Sequence, residues 1–371
     1  MASRSARQPN LTRRMFLAVL SLSPMEAAGA RGSLFPSAIR RYLDAVTEFE
    51  VIRLTDPAYA SYLPACHAYS IARRGSFLVH SSDRTGSLQA YRLDVKGGQS
   101  RLLTEAPELD PSSLNLVAGD AELSYWDGRA LRQVHLSQLR DREVYRVPVG
   151  WARGEGHSLS TDRLSAVFVE SRAGGGSRIN VLDLRTRTAR VTVESPEELR
   201  DPLLQPGGQA ICFRTPDDSL RLLLPGKKEG RALPLATGSI GPARWAPDGK
   251  SIFYLSHQTG AEGGAFLRTY ALDTGKDELI AKTSQFAAFG ANADASVFVG
   301  ASASAAGPYV LILLRVAHRE MALCQHGASQ AKRVTTIFSP DSQSVYFQSD
   351  RHGKPAIYRL NVERLVERTT S

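Results

Sequence analysis

The sequence predicts an all-β chain: a seven-bladed β-propeller of four-stranded blades, its ring closed by an N-terminal outer strand. Three observations carry that expectation. One hydrophobic strand recurs seven times, starting at Phe77, Leu123, Ala166, Ala210, Ile252, Val297 and Val345, in steps of 46, 43, 44, 42, 45 and 48 residues. Steps of roughly 40–50 residues suit a four-stranded blade. Turn residues punctuate each unit, as at Asp248-Gly249 and Gly97-Gly98, where φ > 0 is needed. A strand with no unit of its own, Val51-Ile52-Arg53-Leu54-Thr55, precedes the first full repeat.

Each element follows from local chemistry. The clearest unit opens with Trp245-Ala246-Pro247-Asp248-Gly249-Lys250, then runs Ile252-Phe253-Tyr254-Leu255, Leu267 to Leu272, and Glu278 to Ala281. These are short runs of β-branched and aromatic residues between turns. They are continuously apolar, as strands buried on both faces are. No helical period persists through them. The last unit has Phe338-Ser339-Pro340-Asp341, Val345 to Asp350 and Ala356 to Leu360, but no fourth strand. Val51–Thr55 is therefore expected beside Ala356–Leu360, hiding a sheet edge. Phe35 to Glu48 reads as a short amphipathic helix outside the ring, within a linker over residues 31–48. Residues 49–362 form the propeller, and the tail at 363–371 begins helix-like.

The N-terminus reads as an export signal over residues 1–30. Thr12-Arg13-Arg14-Met15-Phe16-Leu17 resembles a twin-arginine signature, a short apolar run ends at Leu22, and Ala28-Gly29-Ala30 offers a cleavage site. The expected destination is the periplasm or outside the cell, with the cytoplasm as the alternative. The run is too short to span a bilayer, and no other segment is a candidate.

The whole chain has 371 residues and a formal net charge of +9, of which residues 1–30 supply +3 (four arginines against Glu26) and the rest +6. A basic surface suits an anionic partner such as a uronate sugar. There is no dense Lys/Arg block and no nucleic-acid motif, so nucleic acid is not expected. Cys66, Cys212 and Cys324 lie far apart, without metal spacing. No nucleophile elbow, phosphate loop or His-Glu-x-x-His occurs.

Trp-Ala-Pro-Asp-Gly-Lys and Phe-Ser-Pro-Asp-Ser-Gln, the latter followed by Tyr-Phe-Gln-Ser-Asp-Arg, resemble the repeat of TolB-like propellers, which specifies fold only. More specific is an arrangement: Arg53-Leu54-Thr55-Asp56, then Ser82-Asp83-Arg84-Thr85-Gly86, then Leu323-Cys324-Gln325-His326 ahead of Phe338-Ser339-Pro340-Asp341. Over roughly residues 49–362 this resembles the oligogalacturonate lyase family. The resemblance implies a seven-bladed propeller that cleaves pectin fragments by β-elimination. It also implies manganese, held near the axis by three histidines and a glutamine.

Those ligands are where this chain departs. The family pattern Gln-x-x-His-Pro-His-Pro-x-Phe stands here as Gln330 to Phe338, with Arg333 and Thr335 at the histidine positions. The third histidine is expected ahead of Trp245, where Gly241-Pro242-Ala243-Arg244 stands. No cofactor is therefore predicted, because a guanidinium opposes a divalent ion. Arg244 and Arg333 could instead supply the positive charge that an enolate-like intermediate needs. His157 is the candidate base. Gln330, His326 and Arg84 are candidate substrate contacts. The expected ligand is an acidic oligosaccharide, and the expected assembly a monomer. Two non-enzymatic readings stand beside the lyase: an inactive propeller that binds a saccharide or protein, and a TolB-like envelope scaffold. Residues 31–48 are too few for the extra domain such scaffolds carry.

Overall fold

The computed structural model describes residues 29–258, 264–283, 286–304 and 306–366. The proposed export signal lies outside these residues, apart from Gly29 and Ala30.

Seven antiparallel sheets form the ring. From blade 1 to blade 7 the inner strands are Ser61–Tyr62, Asn115–Val117, Trp151–Leu159, Arg200–Leu204, Ser239–Trp245, Phe286–Ala291 and Thr336–Phe338. The seven strands expected from the repeat are the second strands, from Phe77–Ser82 in blade 1 to Ser344–Ser349 in blade 7. Blade 7 takes its outer strand from Glu50–Arg53, with Val51 opposite Leu360 and Arg53 opposite Tyr358. Side chains from adjacent blades interleave in seven apolar clusters, one per blade–blade interface. The blades are thus held by burial between their faces. Two blades pair an arginine with an aspartate and a tyrosine inside the sheet. In blade 5 the Tyr254 hydroxyl donates to Asp277 at 2.6 Å and Arg268 pairs with the same carboxylate. Tyr125, Arg132 and Asp141 repeat this arrangement in blade 2.

The inner strands end in shared turns. Ser339 Oγ donates to Asp341, whose carboxylate accepts the Gln343 N–H. Ser160 and Asp162 do the same in blade 3. At Gly249 (φ +69) an added Cβ would strike the Pro206 carbonyl, so the Asp-Gly turn there admits no side chain.

The helix expected at Phe35–Glu48 is not there. Leu34–Phe35 pairs with the outer strand of blade 1, and Arg40–Leu43 pairs with Glu50–Arg53 in blade 7. Pro36 interrupts any helix, and two outer strands offer unpaired edges to the segment. Its ends reach further. Arg31 pairs with Asp141 of blade 2. Buried Asp44 accepts the Gln325 N–H of blade 6 at 3.1 Å, and Thr47 Oγ1 donates to the Leu323 carbonyl at 2.7 Å. Residues 31–47 therefore form a strap across the rims of four blades. After Asn361 the chain makes one turn, with the Val366 N–H on the Val362 carbonyl, rather than a helix over the described residues.

Candidate functional site

The register of blade 1 shows how the centre is furnished. Tyr62 pairs with Ser81, and Ile71 bridges to Leu78. Eight residues, 63–70, thus stand opposite only two, 79 and 80. The surplus bulges from the strand and is tied to other blades. The Leu63 N–H donates to Gln348 of blade 7 at 2.8 Å, and the Ala65 N–H to the Ser112 carbonyl at 3.2 Å. The Tyr69 N–H donates to Asn115 of blade 2 at 2.9 Å, and His67 Nε2–H to the His157 carbonyl of blade 3 at 2.9 Å.

This bulge walls a cavity of about 440 Å³ lined by inner-strand ends of blades 3 to 7 and the turns after them. The lining holds two arginines, Arg163 and Arg244, and no carboxylate. Arg163 is neutralised by Asp120. Arg244 has no carboxylate partner among the described residues; its Nη1 sits 3.7 Å from where a Gly290 Cβ would stand. Gly290 therefore leaves room for the guanidinium. Beside it, His67 and Cys66 line the same wall. With Nε2–H committed to the His157 carbonyl, the other His67 nitrogen is left for the thiol of Cys66. Burial alone would raise the thiol and lower the imidazole; their mutual hydrogen bond and charge reverse both, aided at Cys66 by the Arg244 guanidinium. The thiol is thus lowered and the imidazole raised, each favouring the charged form of the other.

The structure separates the residues singled out from the sequence. Arg244 lines the central cavity. Gln330 and Arg333 are exposed and line a separate pocket of about 50 Å³ with Tyr62, Gln348 and Asp350, where the chain enters the inner strand of blade 7. The two arginines expected to act together do not share a cavity. His157 is packed between blades 2 and 3, where its Nε2 accepts from the Asn115 amide at 3.1 Å. Burial, then the nearby His67 and Arg153 charges, push its imidazole down to about 3, so it is neutral. His326 is 1% exposed; Nε2–H donates to the Ser302 carbonyl at 3.0 Å and Nδ1 accepts the Ala328 N–H at 3.0 Å. Both ring nitrogens are thus held by backbone. Arg84 stacks over Phe35 at 4.6 Å and Tyr59 at 5.2 Å, against the strap.

Cys66 and His67 were not singled out by pattern. Pro64-Ala65-Cys66-His67 has no strand alternation, which hints at a loop, but nothing in it tells that the loop faces the axis. As for manganese, the positions in question carry Gln330, Arg333 and Thr335, and the described residues contain no group of three His, Cys, Asp or Glu side chains able to hold a metal. These residues do not fit the ion.

A sequence model of a family described as oligogalacturonate lyase matches residues 29–172, the strap, blades 1 and 2 and the first two strands of blade 3. An oligogalacturonide lyase of Pectobacterium atrosepticum is 24% identical over 382 aligned positions, covering 90% of this chain and 98% of that one. An oligogalacturonate lyase of Dickeya dadantii is 22% identical with the same coverage. Among solved structures, an oligogalacturonate lyase in complex with manganese superposes with a TM-score of 0.85 at 24% identity, over 90% of this chain and 98% of that one. One from Vibrio parahaemolyticus gives 0.84 at 21% identity, over 90% and 99%. The fold read from the repeats and the family resemblance read from the arrangement of motifs therefore hold along nine-tenths of the chain. No helix among the described residues is long and apolar enough to cross a membrane.

Proposed function

We propose that this chain, similar along nine-tenths of its length to oligogalacturonate lyases, binds an acidic oligosaccharide of the uronate class in its central cavity and cleaves it by β-elimination. The observation that carries the reading is Arg244: a guanidinium without a carboxylate partner among the described residues, in a cavity whose lining has no acidic side chain. Such a site favours an anion, and the planar guanidinium matches a carboxylate bidentately.

In β-elimination a base takes the proton next to the uronate carboxylate. Negative charge spreads onto that carboxylate, and the bond to the leaving sugar oxygen breaks to leave an unsaturated uronate. Arg244 stabilises the developing charge without a metal ion. His157 is kept as the proposed base, a role that requires its neutral ring, which lies outside the cavity lining and is held by Asn115 through Nε2, to turn toward the substrate.

That same bond favours a second reading. With the His157 lone pair engaged and the ring outside the cavity lining, the cavity can bind a uronate without cleaving it. An absorbance assay for unsaturated uronate, run on oligogalacturonate with and without manganese, separates the two when paired with calorimetric binding. Product formed without added metal supports the lyase. Binding without product leaves the non-catalytic reading. Neither binding nor product would sink both.

A further inference from the structure

The wall of the central cavity carries a second chemistry that β-elimination does not use. Three side chains from two blades line it, Cys66 and His67 on the blade 1 bulge and Arg244 from blade 5, and behind them the His157 carbonyl of blade 3 fixes the His67 ring. We propose that Cys66 is a covalent modification site for small electrophiles that carry a carboxylate, with His67 holding the thiol proton and Arg244 holding the carboxylate.

The assignment rests on geometry. His67 Nε2–H is committed to a backbone carbonyl at 2.9 Å, so only its other nitrogen can take the thiol proton. Cys66 is half-buried and lines a cavity of about 440 Å³, large enough for a small reagent. The other two cysteines are wholly buried, and burial pushes the Cys212 thiol up to about 12 and Cys324 up as well. The thiolate is the reactive form, so the chain offers one reactive site and two internal controls. In the step itself the Cys66 sulfur lone pair forms a bond to the electrophilic carbon. With an α-halo acid the carbon–halogen bond breaks, halide leaves, and the proton stays on His67. The Arg244 half of the proposal rests on the anion cavity of the preceding section; the Cys66–His67 half does not.

Two reagents of nearly equal size separate the halves: iodoacetamide, which is neutral, and iodoacetate. The full chain is treated with each at neutral pH, and labelling is followed by peptide mass mapping, with glutathione as the reference thiol. Cys66 should be labelled while Cys212 and Cys324 are not. Its iodoacetate-to-iodoacetamide rate ratio should exceed that of glutathione by about fivefold or more, and Arg244→Ala should return the ratio to the glutathione value. His67→Gln should slow both reagents by about tenfold, since it removes the proton acceptor. Labelling of Cys212 or Cys324 in a variant marks it as unfolded, and the wild-type ratio against glutathione then decides. An unreactive Cys66 in the folded protein, or equal rates in wild type and folded His67→Gln, overturns the thiolate half. A wild-type ratio equal to that of glutathione overturns the Arg244 half and leaves the uronate reading to its own assay.

Discussion

Arg244→Ala is the sharpest perturbation of the proposed site, because the arginine contrasts with its neighbour. Arg163 lines the same cavity but is paired with Asp120, so its charge is already answered. Arg244 is flanked by His67, Cys66 and Tyr69, none of them a carboxylate, and its guanidinium is half-buried. A charge-assisted hydrogen bond in such a setting is worth about 1.5–3 kcal/mol. Losing it should weaken uronate binding roughly 10- to 150-fold. Arg244→Lys keeps the charge but loses the planar fork, so it should fall between the two. Wild-type affinity should decline with salt, and the Ala variant should show a flatter dependence. Titration calorimetry with a galacturonate dimer at low and high salt reads both effects. Arg41→Ala, which removes an exposed ion pair with Glu50, serves as the control and should change nothing. Binding by Arg244→Ala within about twofold of wild type, with the same salt dependence, would refute the anion site.

Three further outcomes are expected. Ile52, 3% exposed in the closing strand, should cost about 2–5 kcal/mol when changed to Ala, whereas Leu43, 67% exposed in the strap, should cost under about 0.5 kcal/mol; urea midpoints at constant slope compare them. Elemental analysis of protein dialysed against manganese should find no stoichiometric metal, and one ion per chain would show that other residues assemble a site. Burial lowers the His80 imidazole to about 4 and His157 to about 3, so between pH 6.5 and these values the unfolded chain binds protons that the folded one refuses. Stability should therefore fall with acidification across that window by up to about 1.4 kcal/mol per pH unit for each histidine. Urea midpoints at successive pH values measure the slope, which His80→Leu should flatten; an unchanged slope would contradict the assignment of His80.

The ring was legible because its cause is local and repeated. Each second strand is a run of apolar residues bounded by turns, and the spacing survives whatever its neighbours do. The displaced strand at Val51 was legible for the same reason: an apolar run without a unit must find an edge. The strap was not, because Arg40-Arg41-Tyr42-Leu43 has too few apolar residues to show a period of two, and its partners are edges created by the finished sheets. The bulge at residues 63–70 was hidden because an insertion toward the axis leaves no periodic trace; only the pairings of Tyr62 and Ile71 reveal the surplus. The place of Arg244 beside the central cavity was legible because it stands just before the Trp-Ala-Pro-Asp turn at the end of an inner strand. Arg333 also stands before an inner strand, but it ends a short 3-10 turn, Ala331–Arg333, and lines a different pocket.

The strap has a consequence for how the molecule comes into being. A chain made from its N-terminus produces residues 31–53 first, yet nearly every partner they need is made later. Arg31 waits for Asp141, Asp44 and Thr47 wait for the sixth blade, and Val51 waits for Leu360 of the seventh. Blades 1 to 6 can each form from chain made before Ala356, but Glu50–Arg53 lacks its blade 7 partner until Ala356–Asn361 is made, and Val51 stays without its paired strand until then. A nascent chain stalled before Ala356 should therefore hold six formed sheets and a protease-sensitive segment around residues 40–53, which release of the last strand should protect.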